Sequence, residues 1–226
     1  MPWDVSRAVA TASARQRTKL VASYIWEHRR VWAFQNILFL SMKIPKELQE
    51  AIVQMPDKEK NKLLLRLVAK DPLLVEKLQH QLLEGTADVT ERRRDIEEKI
   101  AQMAEYQHYE TPGWLMMSMR DRSGDITRHV KVTKDKLGEV QLTLQLVNLT
   151  FEKQQKMLRQ KSKKAENFAE YVVKKADSVM KKLSKIHPDY FIELEDEVNQ
   201  MLAYVHGYEP CQFFLRQIEV PKRWNP

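Results

Sequence analysis

Residues 140–151 read VQLTLQLVNLTF, and the fold turns on how that stretch is parsed. With a period of two, Val140, Leu142, Leu144 and Leu146 alternate with polar residues, as in a half-buried strand. With a period of 3.6, Val140, Leu144, Val147 and Phe151 fall on one helical face and Leu142, Leu146 and Leu149 on another. A strand would need a partner. The only neighbouring candidate, 128–133, would give an isolated hairpin, which is marginal in water. A helix is therefore expected, with a hairpin over 128–151 as the alternative.

The flanks are helical on either side. Downstream, Ala165, Phe168, Ala169, Val172, Ala176, Val179 and Leu183 mark one apolar face. Past Pro188, Phe191, Leu194, Val198, Met201 and Val205 repeat the pattern as far as Gly207. The tail, 208–226, is expected to be irregular, with Phe213, Phe214 and Leu215 docked. Upstream, Leu115, Met119, Ile126 and Val130 are in helical register over 114–130, with Gly124 a weak point midway. Val89, Ile96, Ile100 and Met103 form another stripe, with Asp88 and Glu91 in capping-box spacing. Asp71 and Pro72 read as the cap and first residue of a helix carrying Leu74, Val75, Leu78 and Leu82. Leu63, Leu64, Leu67 and Val68 share a face after Pro56. Short loops make successive helices antiparallel neighbours. The fold class is thus all-α, an irregular multi-helix bundle or a stack of antiparallel helical hairpins. No period of a helical repeat protein recurs.

Composition agrees. Glycine is scarce, 5 in 226 residues, and the abundant residues are good helix formers. A hydrophobic content of 43% is too high for a disordered chain, and that length suffices for a real core. Cys211 is the only cysteine, so an internal disulfide is excluded and a cytoplasmic location is expected. The most apolar run, 31–40, is broken by Gln35 and Asn36 and is half a span, so no transmembrane segment is expected.

Residues 1–41 differ from the rest. They hold three of the five tryptophans, and six basic against two acidic side chains, a net of +4. Three accounts fit: an N-terminal helix over 18–40, a transit-type leader, or a leader ahead of a true start at Met42. Residues 42–226 are expected to form a single helical domain. They carry 32 basic and 29 acidic residues, a net of +3, so the body has little global attraction for a polyanion.

Few residues suggest chemistry. Phosphate-binding glycine loops, nucleophile elbows and zinc-binding cysteine pairs are missing from the sequence. Glu105 and His108, spaced i,i+3, would put two metal ligands on one helical face, yet ferritin-like centres need two such pairs. A surface glutamate beside a partly buried histidine is the favoured explanation. Glu193, Glu195, Asp196 and Glu197 surround Leu194 and Val198, which suits a solvated face. Over 153–185, eleven basic residues face three acids, a net of +8. Lys163, Lys164, Lys174, Lys175, Lys181, Lys182 and Lys185 could follow a phosphate backbone, but thin aromatic interleaving favours a solvated face. Trp114, Met116 and Met117 form a soft apolar patch that could grip a partner helix or pack in the core.

Helical periodicity thus accounts for nearly every apolar residue and leaves no convergent polar set. The expectation is a non-enzymatic interaction or adaptor protein without a cofactor, whose partner is another protein. A nucleic-acid-associated protein using the basic helix 153–185 is the alternative, and a helical metalloenzyme a remote one.

Overall fold

A computed structural model of the chain describes residues 44–83, 86–160 and 162–226. The expectations for 1–41 lie outside the described residues. Among those described there are ten α-helices, two 3-10 turns and no strand. The protein is an all-α multi-helix bundle, and the helical reading of 140–151 is correct.

The chain divides into two units, 1–65 and 66–226. In the first, α1 (Lys46–Gln54) and the greater part of α2 (Asp57–Val68) are described, and none of the residues 44–65 is buried. The second contains α3 (Pro72–Leu82), α4 (Thr86–Glu105), α5 (Pro112–Thr133), α6 (Lys136–Lys153), a single turn α7 (Gln155–Leu158), α8 (Lys163–Leu183) and α9 (Phe191–Gly207). A last turn, α10 (Gln212–Leu215), follows.

Helix α6 is the axis of the second unit, and α4, α5, α8 and α9 all pack on it. Val140, Leu144, Val147 and Phe151 are buried on one face and Leu142 and Leu146 on a second, nearly opposite one. That is why the stretch mimics a strand. Residues two apart lie about 200° apart on a helix, so two nearly opposite apolar faces produce an alternating pattern. The other helices bury one stripe each, as Phe168, Val172, Ala176 and Val179 do on α8.

Pairings fix the directions. Arg93 of α4 donates to Gln141 near the start of α6 (3.0 Å), and Gln154 beyond its end donates to the Ala104 carbonyl (2.7 Å). Helices α4 and α6 are therefore parallel. Asn148 donates to the Glu197 carbonyl (2.9 Å), and one turn on the Phe151 and Tyr204 rings stack at 5.4 Å, so α9 is parallel to them. Helix α8 runs the opposite way, since Phe168 near its start meets Tyr208 just past the end of α9. Helix α5 runs with α8: Ser123 meets Tyr171, and earlier Gly113 lies against Lys164.

The start of α6 is the most elaborate junction. Lys134 closes α5 in the left-handed conformation (φ 64°), the C-terminal stop usually given to glycine. Asp135 then caps α6 by accepting from the Gly138 N–H (2.9 Å). The same carboxylate takes both arms of the Arg93 guanidinium, one at 2.6 Å, and the Nε2 proton of buried His129 (3.1 Å). A β-carbon at Gly138 would overlap both the carboxylate and the guanidinium, so glycine is required there by space. Burial pushes the Asp135 carboxyl up, but the His129, Arg93 and Gly138 hydrogen bonds outweigh it and hold the group far below the usual carboxylate range.

Two local expectations, the Asp88 cap and the docking of Phe213, are corrected. Asp88 does not cap α4. It lies in the first turn, where its carboxylate takes the Arg92 Nε–H (2.5 Å). Helix α5 runs unbroken through Gly124. Phe214 and Leu215 pack against the core, but Phe213 is 63% exposed. No helix among the described residues is long and apolar enough to cross a membrane.

Truncating Leu144→Ala in the centre of α6 is expected to cost ~2–5 kcal/mol in urea unfolding. Leu64→Ala, half exposed on α2, is expected to stay within ~0.5 kcal/mol. The charged form of Asp135 stabilises the fold above the unfolded-state value of ~3.9, and that stability is lost as pH falls toward the depressed folded value. Asp135→Asn should therefore be less stable than wild type at neutral pH and lose less stability below about pH 4.

Candidate functional site

On α5, Arg120, Ser123, Gly124, Thr127 and Lys131 recur at three- and four-residue intervals and so share one face. That face fronts a cleft of about 700 Å³. Tyr171 and Lys175, one turn apart on α8, form the second wall, and Asp71, Pro72 and Leu73 at the start of α3 form the third. The Ser123 and Tyr171 hydroxyls meet across the floor at 2.8 Å. The Arg120 guanidinium and the Lys175 ammonium lie 5.5 and 5.7 Å from the centre of the Tyr171 ring, within cation–π range. A β-carbon on Gly124 would meet nothing but open space.

The charges of the cleft do not balance. Asp71 is its one carboxylate, and that group is taken up by the Leu73 and Leu74 N–H groups of α3 (3.0 and 3.2 Å). Arg128 is neutralised by Glu76, one bond at 2.9 Å. Arg120, Lys131 and Lys175 make no ion pair among the described residues. Burial pushes the Lys175 ammonium down, and repulsion from Lys182 adds to this while Glu139 opposes it. Burial raises the Tyr171 hydroxyl against the effects of Ser123 and Arg120, so the phenol stays protonated at neutral pH.

The residues singled out from the sequence are scattered by comparison. Helix α4 ends at Glu105, and His108 lies beyond it in the connection, where both are exposed. The shared helical face is not formed, because Tyr106 leaves the helix to pack edge-on against His108 and Tyr109. Among the described residues no three His, Cys, Asp or Glu side chains gather to hold a metal ion. Glu193, Asp196 and Glu197 are exposed around buried Leu194 and Val198.

The basic face of α8 is broken up by acids. Lys174 pairs with Glu170 (2.5 Å), Lys181 with Asp177 (2.7 Å) and Lys182 with Glu139 of α6 (2.8 Å). Lys175 turns into the cleft. Lys163 and Lys164 stay exposed at one end of α8 and Lys185 beyond the other, about 30 Å apart along a 21-residue helix. Trp114 and Met117 are exposed on the first turns of α5, whereas Met116 packs against the core. Cys211 is buried, and burial pushes its thiol up to about 12, which makes it unreactive.

The spacing of Arg120, Ser123, Thr127 and Lys131 was readable as a polar face of α5. What the sequence lacks is any mark that α3 and α8 flank that face, because both approach from distant parts of the chain. Tyr171→Phe is expected to cost ~0.5–1.5 kcal/mol in chemical denaturation, since it leaves the buried Ser123 hydroxyl without its partner. Comparison with known protein families, curated proteins and solved structures yields no match.

Proposed function

We propose that this protein is a non-enzymatic interaction or adaptor protein of the cytoplasm, and that α1 and α2 engage an apolar helix of another protein. The observation that carries this reading is that residues 44–65 bury no side chain although they are rich in apolar residues. Ile44 and Leu48 are half exposed, and Val53 and Leu65 are exposed to 73% and 70%. Leu63, Leu64 and Leu65 follow one another, so they span more than half the circumference of α2 and leave an apolar side open to a partner. Helices of 9 and 12 residues are marginal alone in water, and an apolar partner supplies what they lack.

Charge suggests the kind of partner. Residues 44–65 contain four basic and four acidic side chains, so recognition there rests on apolar contact rather than electrostatic steering. The cytoplasmic location is supported by the lone cysteine, a free buried thiol. The non-enzymatic reading is supported by the cleft, whose one carboxylate, Asp71, is occupied in capping α3.

Affinity capture followed by binding of the purified partner tests the proposal. Leu64→Glu with Leu65→Glu is expected to weaken binding about tenfold or more while leaving the circular dichroism and melting curve unchanged. Wild-type binding should persist from ~0.1 to ~0.5 M salt. An unchanged affinity, or binding that vanishes with salt or nuclease as nucleic-acid association would, contradicts it. So does hydroxyl-radical footprinting that finds Leu64 and Leu65 shielded in the isolated chain.

A further inference from the structure

We propose that the cleft between α3, α5 and α8 binds the phosphate monoester of a small organic molecule, held by Arg120 and Lys175 beside Tyr171. The reasoning starts from unbalanced charge. Four cations line one concave surface, only Arg128 among them is paired with an acid, and the single carboxylate of that surface is occupied in capping a helix. Lys175 is partly withdrawn from water and has no acid partner, an arrangement that costs free energy until an anion arrives. Its ammonium and the Arg120 guanidinium lie 5.7 and 5.5 Å from the Tyr171 ring centre and both line the cleft, so the ring marks where two unpaired cations border the same space.

Donor number and shape favour a phosphate over a lone carboxylate. A phosphate dianion presents three oxygens, and Arg120 offers a planar fork while Lys175 offers a point charge. The Ser123 and Tyr171 hydroxyls carry two hydrogens but use only one between them, which leaves one donor on the floor. The cleft's volume, about 700 Å³, suits a body the size of a sugar or a nucleoside, with Pro72 and Leu73 as an apolar wall. A polymer fits less well. The lysines of α8 outside the cleft are either paired with acids or separated at the helix ends, so no continuous basic track leads away from it.

Gly124 supplies a clean test. It sits mid-helix and its missing side chain borders open space in the cleft. Gly124→Leu fills that space, removes no charge and improves helix propensity, so it blocks the site without endangering the fold. Amide chemical-shift titrations would use phenyl phosphate, inorganic phosphate and phenol as probes, together with an RNA oligomer and phosphatidic acid vesicles. Phenyl phosphate is expected to give saturable shifts at Ser123, Gly124 and Thr127. Arg120→Gln and Lys175→Gln should each weaken it about tenfold. Gly124→Leu should abolish it with an undiminished melting temperature, and Lys163→Gln with Lys164→Gln should leave it unchanged.

The proposal is overturned if phenyl phosphate fails to saturate, or binds Gly124→Leu as well as wild type. It is also overturned if phenol binds as tightly, if inorganic phosphate matches phenyl phosphate so that no organic body is recognised, or if only RNA or vesicles shift these amides. None of these outcomes depends on α1 and α2, so this site and the protein-docking surface stand or fall separately.

Discussion

Helix α6 carries two apolar faces, one of Val140, Leu144, Val147 and Phe151 and one of Leu142 and Leu146, and the arrangement of residues 66–226 answers the need to keep water from both. One neighbour covers about a third of a helix, so several are required. Helices α4, α5, α8 and α9 supply the cover, and their alternating directions follow from the short connections between them. Each fully buried leucine or valine on α6 contributes roughly 1.5–3 kcal/mol relative to exposure, so several of them outweigh any single surface feature.

An enclosed helix needs its ends fixed as well as its sides. Asp135 joins three helices at one carboxylate: it caps α6, receives Arg93 from α4 and accepts from His129 on α5. The junction sets the register of α4 and α5 against α6, and Gly138 is its spatial condition. At the far end Gln154 does a similar task, donating to the carbonyls of Ala104 and Tyr106 at 2.7 Å each. With both ends held, the outward faces of α5 and α8 are left beside each other, and the cleft lies where α3 closes over them without filling the space.

The fold class was legible because period and punctuation agree. The one-sided stripes of α8 and α9, the Asp71–Pro72 start of α3 and the Pro112 break all lie where local chemistry places them. Legibility fell where a residue's role depends on distant neighbours. Val140 to Leu146 read two ways because alternate residues fall on two nearly opposite buried faces of α6. Lys134 gave no hint of a helix end because it stands where glycine is usual. His108 was placed on a helix that stops three residues earlier, since three aromatic rings pack together in the connection. The cleft was half legible: Lys175 stood out within a basic run, while Arg120 and Lys131 became meaningful only once α8 lay beside α5.

Residues 44–65 mark the other extreme. They are rich in apolar residues, as the core helices are, yet bury none of them. The same sequence property thus has two outcomes, a closed interior around α6 and an open apolar surface on α1 and α2. Native-state hydrogen exchange distinguishes them directly. The account predicts that amides of 140–151 exchange only through global unfolding and are among the slowest, while those of 46–65 exchange with little protection. Amides of α6 that exchange faster than those of α8, or as fast as those of α1, would contradict it.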